Sequence, residues 1–134
     1  MAIHVVRLGS PRRRHEGPRL GTVRRPPRGV KKEDWARTNN FDLWLPDLAP
    51  SAELFSWIRS GPITADRWKT FSRRYTREMQ APAAQRLIAL LVLLSRGTDF
   101  SVGCYCEDES RCHRSLLGTL LADAGADMAS HPSG

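Results

Sequence analysis

Apolar positions along this chain follow two rhythms, and the layout of the fold can be read from where one gives way to the other. Ile3-His4-Val5-Val6-Arg7-Leu8 alternates weakly and predicts a strand. Arg19-Leu20-Gly21-Thr22-Val23 predicts a second, and residues 41–44 a third strand or extended segment. Between the first two, residues 9–18 are an arginine-rich loop bounded by glycine and proline, and Pro26-Pro27 cannot continue a sheet interior. Residues 24–34 therefore form a basic loop at a strand end, running into a short helix over residues 32–37.

From Pro50 the period becomes helical. Ser51 supplies an N-cap for a helix carrying Leu54, Trp57 and Ile58, which Gly61-Pro62 stops. Thr64 opens the next. Its Trp68, Phe71, Tyr75 and Met79 recur at steps of three, four and four and make one apolar stripe, with Arg67, Arg73, Arg74 and Arg77 around the remainder. That stripe reads as core rather than as a stacking platform for bases, which single-strand binders usually carry on strands or loops. Pro82 suits the first turn of a very apolar helix with Leu87, Ile88, Leu90, Leu91, Leu93 and Leu94, expected to bury itself against the sheet before Gly97. Residues 99–106 follow as a strand, and Leu116, Leu117, Leu120 and Leu121 mark the core face of a last helix over residues 111–124. Strands, then helices, then strand and helix give an α/β class. The expectation is a single compact domain over residues 1–126, with a small mixed or mostly parallel sheet covered by helices on both faces. Residues 127–134 are expected to be a frayed tail.

Composition adds bounds. The 134 residues suit one domain, and neither a signal-peptide pattern nor a run of about 18 apolar residues marks export or membrane insertion. Three cysteines are an odd count, which points to an internal site in a reducing cytoplasm rather than a disulfide framework. The net charge of +7 is unevenly placed: residues 1–40 hold nine arginines and two lysines against Glu16, Glu33 and Asp34, a balance of +8. Such a basic third suggests phosphate-bearing partners, a nucleotide-like small molecule or nucleic acid. The competing explanation is compositional drift, since eighteen arginines stand against three lysines.

The chemistry concentrates in Cys104-Tyr105-Cys106-Glu107-Asp108-Glu109-Ser110-Arg111-Cys112-His113-Arg114, which lies between the last strand and the last helix. This is the edge where open α/β sheets bind ligands. Strand and helix spacing argue against a shared metal ion. Cys104 and Cys106 on one strand would sit roughly 6.5 Å apart, too far for two thiolates each about 2.3 Å from zinc. Adjacent Cys112 and His113 on a helix diverge by about 100°. No metal and no cofactor is therefore expected. As thiol nucleophiles, Cys106 stands at the strand tip, and Cys112 at a helix start beside His113 and Arg114, a setting that favours thiolate. The layout resembles cysteine-dependent phosphatases and sulfurtransferases, but it departs from the phosphatase spacing. Arg111 comes one residue early and Arg114 two late, and Glu107, Asp108 and Glu109 would repel phosphate. In the structural alternative, Cys112 and His113 face inward in register with Leu116 and Leu117, and sulfur packs as a small hydrophobe. Glu107, at a strand tip beside His113, suits acid/base work. Whether the protein is an enzyme stays open.

The same residues carry a resemblance. Glycine and cysteine at a strand end, an acidic loop, and Cys112-His113-Arg114 opening a leucine-rich helix look like the bacterial family called domain of unknown function 488. The match extends to Arg24-Arg25-Pro26-Pro27-Arg28-Gly29-Val30 and to Trp44-Leu45-Pro46-Asp47-Leu48-Ala49-Pro50-Ser51, so it covers roughly residues 2 to 126. It implies a compact α/β domain and no established activity. The expected function is binding of a phosphorylated or nucleotide-like ligand. Cys106, Glu107, Cys112 and His113 would be the chemical groups, and Arg114, Arg24, Arg25 and Arg28 the anion ligands. A thiol-dependent enzyme using Cys106 or Cys112 is one alternative, and a nucleic-acid-binding module built on the basic third is the other. Substrate and oligomeric state are not legible.

Overall fold

A computed structural model describes residues 1–129. Four strands form one parallel sheet in the order β1-β4-β2-β3: β1 Ile3–Arg7, β2 Arg19–Gly21, β3 Leu43–Trp44 and β4 Phe100–Cys104. Central β4 is buried along its whole length and pairs Arg7 with Cys104 on one side and Gly21 with Gly103 on the other. Because every pairing is parallel, all strands end at one edge, which collects Arg7, Cys104, the residues after Gly21, and Trp44.

Four helices connect and cover this sheet: α1 Ala52–Arg59, α2 Ala65–Glu78, α3 Pro82–Ser95 and α4 His113–Asp123. Their starts follow local chemistry. Ser51 and Thr64 accept hydrogen bonds from the Leu54 and Arg67 amides, and Pro82 occupies the first turn of α3, where its missing N–H costs nothing. The aromatic stripe lies in the core as expected: Phe71, Tyr75 and Met79 are buried, and the Tyr75 hydroxyl donates to Leu48 O at 2.8 Å.

All four helices contribute to one apolar cluster with Ile3, Phe100 and Val102, so they lie on one face of the sheet rather than on both. The opposite face is covered by loops. Gly21 and Gly103 flatten that face, and a Cβ at Gly21 would overlap the Phe41 ring. Beneath residues 9–18 and 35–42 lies a buried ion pair, Arg19 Nε to Glu16 Oε1 at 2.5 Å, with side chains 0% and 2% exposed. Arg19 also donates to Asn39 O, Pro11 O and Ser10 Oγ, pinning both loops to the sheet.

Two other expectations change. Helix α3 buries only the stripe Ala84, Ile88, Leu91, Val92 and Ser95, leaving Leu90, Leu93 and Leu94 exposed, because a single side of it faces the rest of the fold. Part of the tail expected to fray is paired: Met128 bridges Ile3, and Ala129 N donates to Ile3 O. Residues 130–134 lie outside the described residues. Among those described, no helix is long and apolar enough to cross a membrane.

Candidate functional site

Strand β4 stops at Cys104, two residues earlier than its sequence suggests. Its neighbours run out there. Leu8 N takes the Cys104 carbonyl, and the backbone N–H and hydroxyl of Thr22 both take Gly103 O. Beyond that point Arg114, reaching back from the first turn of α4, donates to Cys104 O at 3.3 Å and Cys106 O at 2.8 Å and turns the chain. Asp108 then accepts from Ser110 and starts a 3-10 turn, Glu109–Arg111, so α4 begins at His113 with Cys112 as its N-cap.

This turn overturns the geometric objection to a shared ion. Cys106 does not continue the strand, and the sulfurs of Cys104, Cys106 and Cys112 lie within 4.8 Å of one another. Cys104 and Cys112 are buried with their sulfurs in bonding contact, although their Cα atoms stand 7.8 Å apart. Cys106 is exposed and free. Burial raises its pKa, while Arg114, Arg59 and Arg7 pull it down less strongly.

His113 is buried, and its Nε2 lies 2.5 Å from Thr22 O. A carbonyl only accepts, so Nε2 carries the proton and Nδ1 is a lone pair, 3.9 Å from Cys112 Sγ. Burial pushes the His113 pKa down to about 4, and the charges of Arg114 and Arg24 add to it. The ring is therefore neutral at physiological pH and cannot hold a proton taken from a thiol. Arg114 is also buried. Among the described residues it has no carboxylate in ion-pair range, and its Nε has no hydrogen-bond partner.

The other expected site residues separate. Glu107 is 87% exposed and pairs with Arg7 rather than with His113. The Arg24 guanidinium is occupied by the carbonyls of Pro46, Ala49 and Pro50, so it braces the turn before α1. Arg25 and Arg28 are exposed. Arg25 lines a shallow cleft of about 280 Å³ with Phe55, Ser56 and Arg59, and the Arg59 guanidinium lies 5.1 Å over the Phe55 ring. Sequence reasoning missed Arg59 and Phe55. The available signal was their i, i+4 spacing on α1, which puts a cation and a ring on one helix face.

The family model DUF488-N3a, described as the active DUF488-N3 subclade, matches residues 3–125. Uncharacterized proteins of Mycobacterium bovis and of two Mycobacterium tuberculosis strains are each 31% identical over 106 residues, 79% of this chain and 81% of theirs. No solved structure matches significantly.

Proposed function

The chain belongs to the DUF488-N3a family, and from that premise we propose that it binds a phosphorylated or nucleotide-like small molecule in the cleft between the Arg25 loop and α1. The observation that carries this reading is the lining. Arg25 and Arg59, without ion-pair partners among the described residues, line one shallow cleft together with Phe55. Guanidinium forks match phosphate oxygens bidentately, and the Phe55 ring beneath the Arg59 fork holds it in place. Arg25 follows the end of β2 by four residues, so one wall of the cleft leaves the sheet at its carboxyl edge. Arg28 supplies a further exposed cation on the same loop, whereas Arg24 and Arg114 act by holding the backbone around the site.

The thiol-enzyme reading draws support from the family description as active and from the exposure of Cys106. The raised pKa of that thiol and the neutral His113 weigh against it. Titrating 15N-labelled protein with adenosine 5′-monophosphate at low salt tests the first reading. Shifts should concentrate at the amides of Arg25, Phe55, Ser56 and Arg59. Shifts spread over residues 9–18 and absent from α1 would sink it.

A further inference from the structure

We propose that the sulfurs of Cys104, Cys106 and Cys112, with Nδ1 of His113, form a binding site for one thiophilic divalent cation of the zinc class. Three observations meet here, and none depends on the anion cleft. First, the three sulfurs lie within 4.8 Å of one another. Tetrahedral zinc with ligands at about 2.3 Å sets thiolate sulfurs roughly 3.8 Å apart, so the Cys104 and Cys112 sulfurs, now in contact, separate and the set opens around the ion. The Cys104 and Cys112 Cα atoms, at 7.8 Å, stand farther apart than the roughly 4.4–6.8 Å of a bridged pair. An ion between the sulfurs suits that span, whereas a covalent bridge does not.

Second, His113 stands outside the three-sulfur group but offers a free ring nitrogen beside one of its members. Its Nε2–H donates to the Thr22 carbonyl, which fixes the tautomer and leaves the Nδ1 lone pair beside Cys112 Sγ at 3.9 Å. If Cys104 and Cys112 were bridged, no S–H would remain to satisfy that lone pair.

Third, Arg114 is a buried cation that lacks a carboxylate partner among the described residues, and its Nη1 lies 3.7 Å from Cys104 Sγ. A buried unpaired charge is strongly unfavourable. Three thiolates and one divalent cation sum to a single negative charge, which Arg114 neutralises. A disulfide would leave Arg114 only the more distant charges of Glu109 and Asp108, neither in ion-pair range. Binding releases the three thiol protons to solvent, and the exposed Cys106 side provides the entry path.

The test begins with protein purified under reducing conditions, loaded with zinc and dialysed. The proposal expects close to one zinc per chain by elemental analysis. Zinc-edge absorption should fit three sulfur ligands and one nitrogen, and cobalt substitution should give tetrahedral visible bands with a sulfur-to-cobalt charge-transfer band. Cys106→Ser, checked for folding by circular dichroism, should lose the metal on dialysis, because that side chain is a ligand outside the core. Zinc well below one per chain would overturn the proposal. So would a single alkylatable thiol in denatured, unreduced protein, which would mean that Cys104 and Cys112 are bridged. Absence of the outer-shell scattering of an imidazole ring from the absorption spectrum would remove His113 from the ligand set.

Discussion

The buried pair of Glu16 and Arg19 gives the sharpest stability prediction, because a single change leaves a charge stranded. Glu16→Gln preserves volume and removes the negative charge facing the Arg19 Nε, while the guanidinium stays fully buried. Its other partners are the Asn39 and Pro11 carbonyls and the Ser10 hydroxyl, dipoles that cannot replace a counter-ion. Removing one partner of a buried pair costs about 3–5 kcal/mol, a large part of the roughly 5–15 kcal/mol of a typical domain. With a urea slope of about 2 kcal/mol per molar, the midpoint should fall by roughly 2 M. Equilibrium urea unfolding followed by tryptophan fluorescence measures it. Arg12→Ala is the control, because the partly exposed Arg12–Asp42 pair should contribute no more than about 1 kcal/mol. If Glu16→Gln shifted the midpoint no more than the control, the claim that this pair pins the loops to the sheet would fail.

Metal-free protein should lose stability as the pH falls from about 6.5 toward 4. His113 is held neutral in the fold, so the unfolded chain takes up the proton first, and the loss should approach roughly 3 kcal/mol before levelling below the folded pKa. Urea midpoints across that range check it, and a flat profile would contradict the buried neutral imidazole. Alkylation of Cys106 in metal-free protein should accelerate only at or above the pH of an ordinary thiol, because burial outweighs the nearby arginines; fast reaction near pH 6 would favour the thiol-enzyme reading instead. Phe71→Ala should cost about 3–5 kcal/mol, and Tyr75→Phe about 1 kcal/mol, since the latter strands only the Leu48 carbonyl. Near-equal effects in thermal unfolding would contradict that stripe as core.

Much of the fold was legible because it is local. The caps at Ser51 and Thr64, the proline at the start of α3 and the stripe on α2 are set within a few residues of themselves. The carboxyl edge could also be placed, since it needs only the order of strand, acidic loop and helix. What escaped is long-range. His113 meets Thr22 ninety-one residues away, and the three cysteines converge only because Arg114 gathers the carbonyls that end β4. The basic third misled for a related reason. Arg19 and Arg24 serve buried or backbone partners, and Arg7, Arg12 and Arg37 pair with carboxylates, so the count of charges overstates those free for a ligand. Glu16, the lone acid among the early arginines, was the available clue.

Calorimetric titration with adenosine 5′-monophosphate, of the wild type and two double variants, decides whether the cleft beside α1 holds a ligand. One site per chain is expected, weakened by added salt as exposed charges are screened. Binding should be lost in Arg25→Ala/Arg59→Ala and retained in Arg13→Ala/Arg14→Ala, which removes equal charge from an exposed loop away from the cleft. Equal loss in the two variants would mean a diffuse basic surface of the kind that nucleic acid uses, and binding untouched by either would remove the cleft from the function.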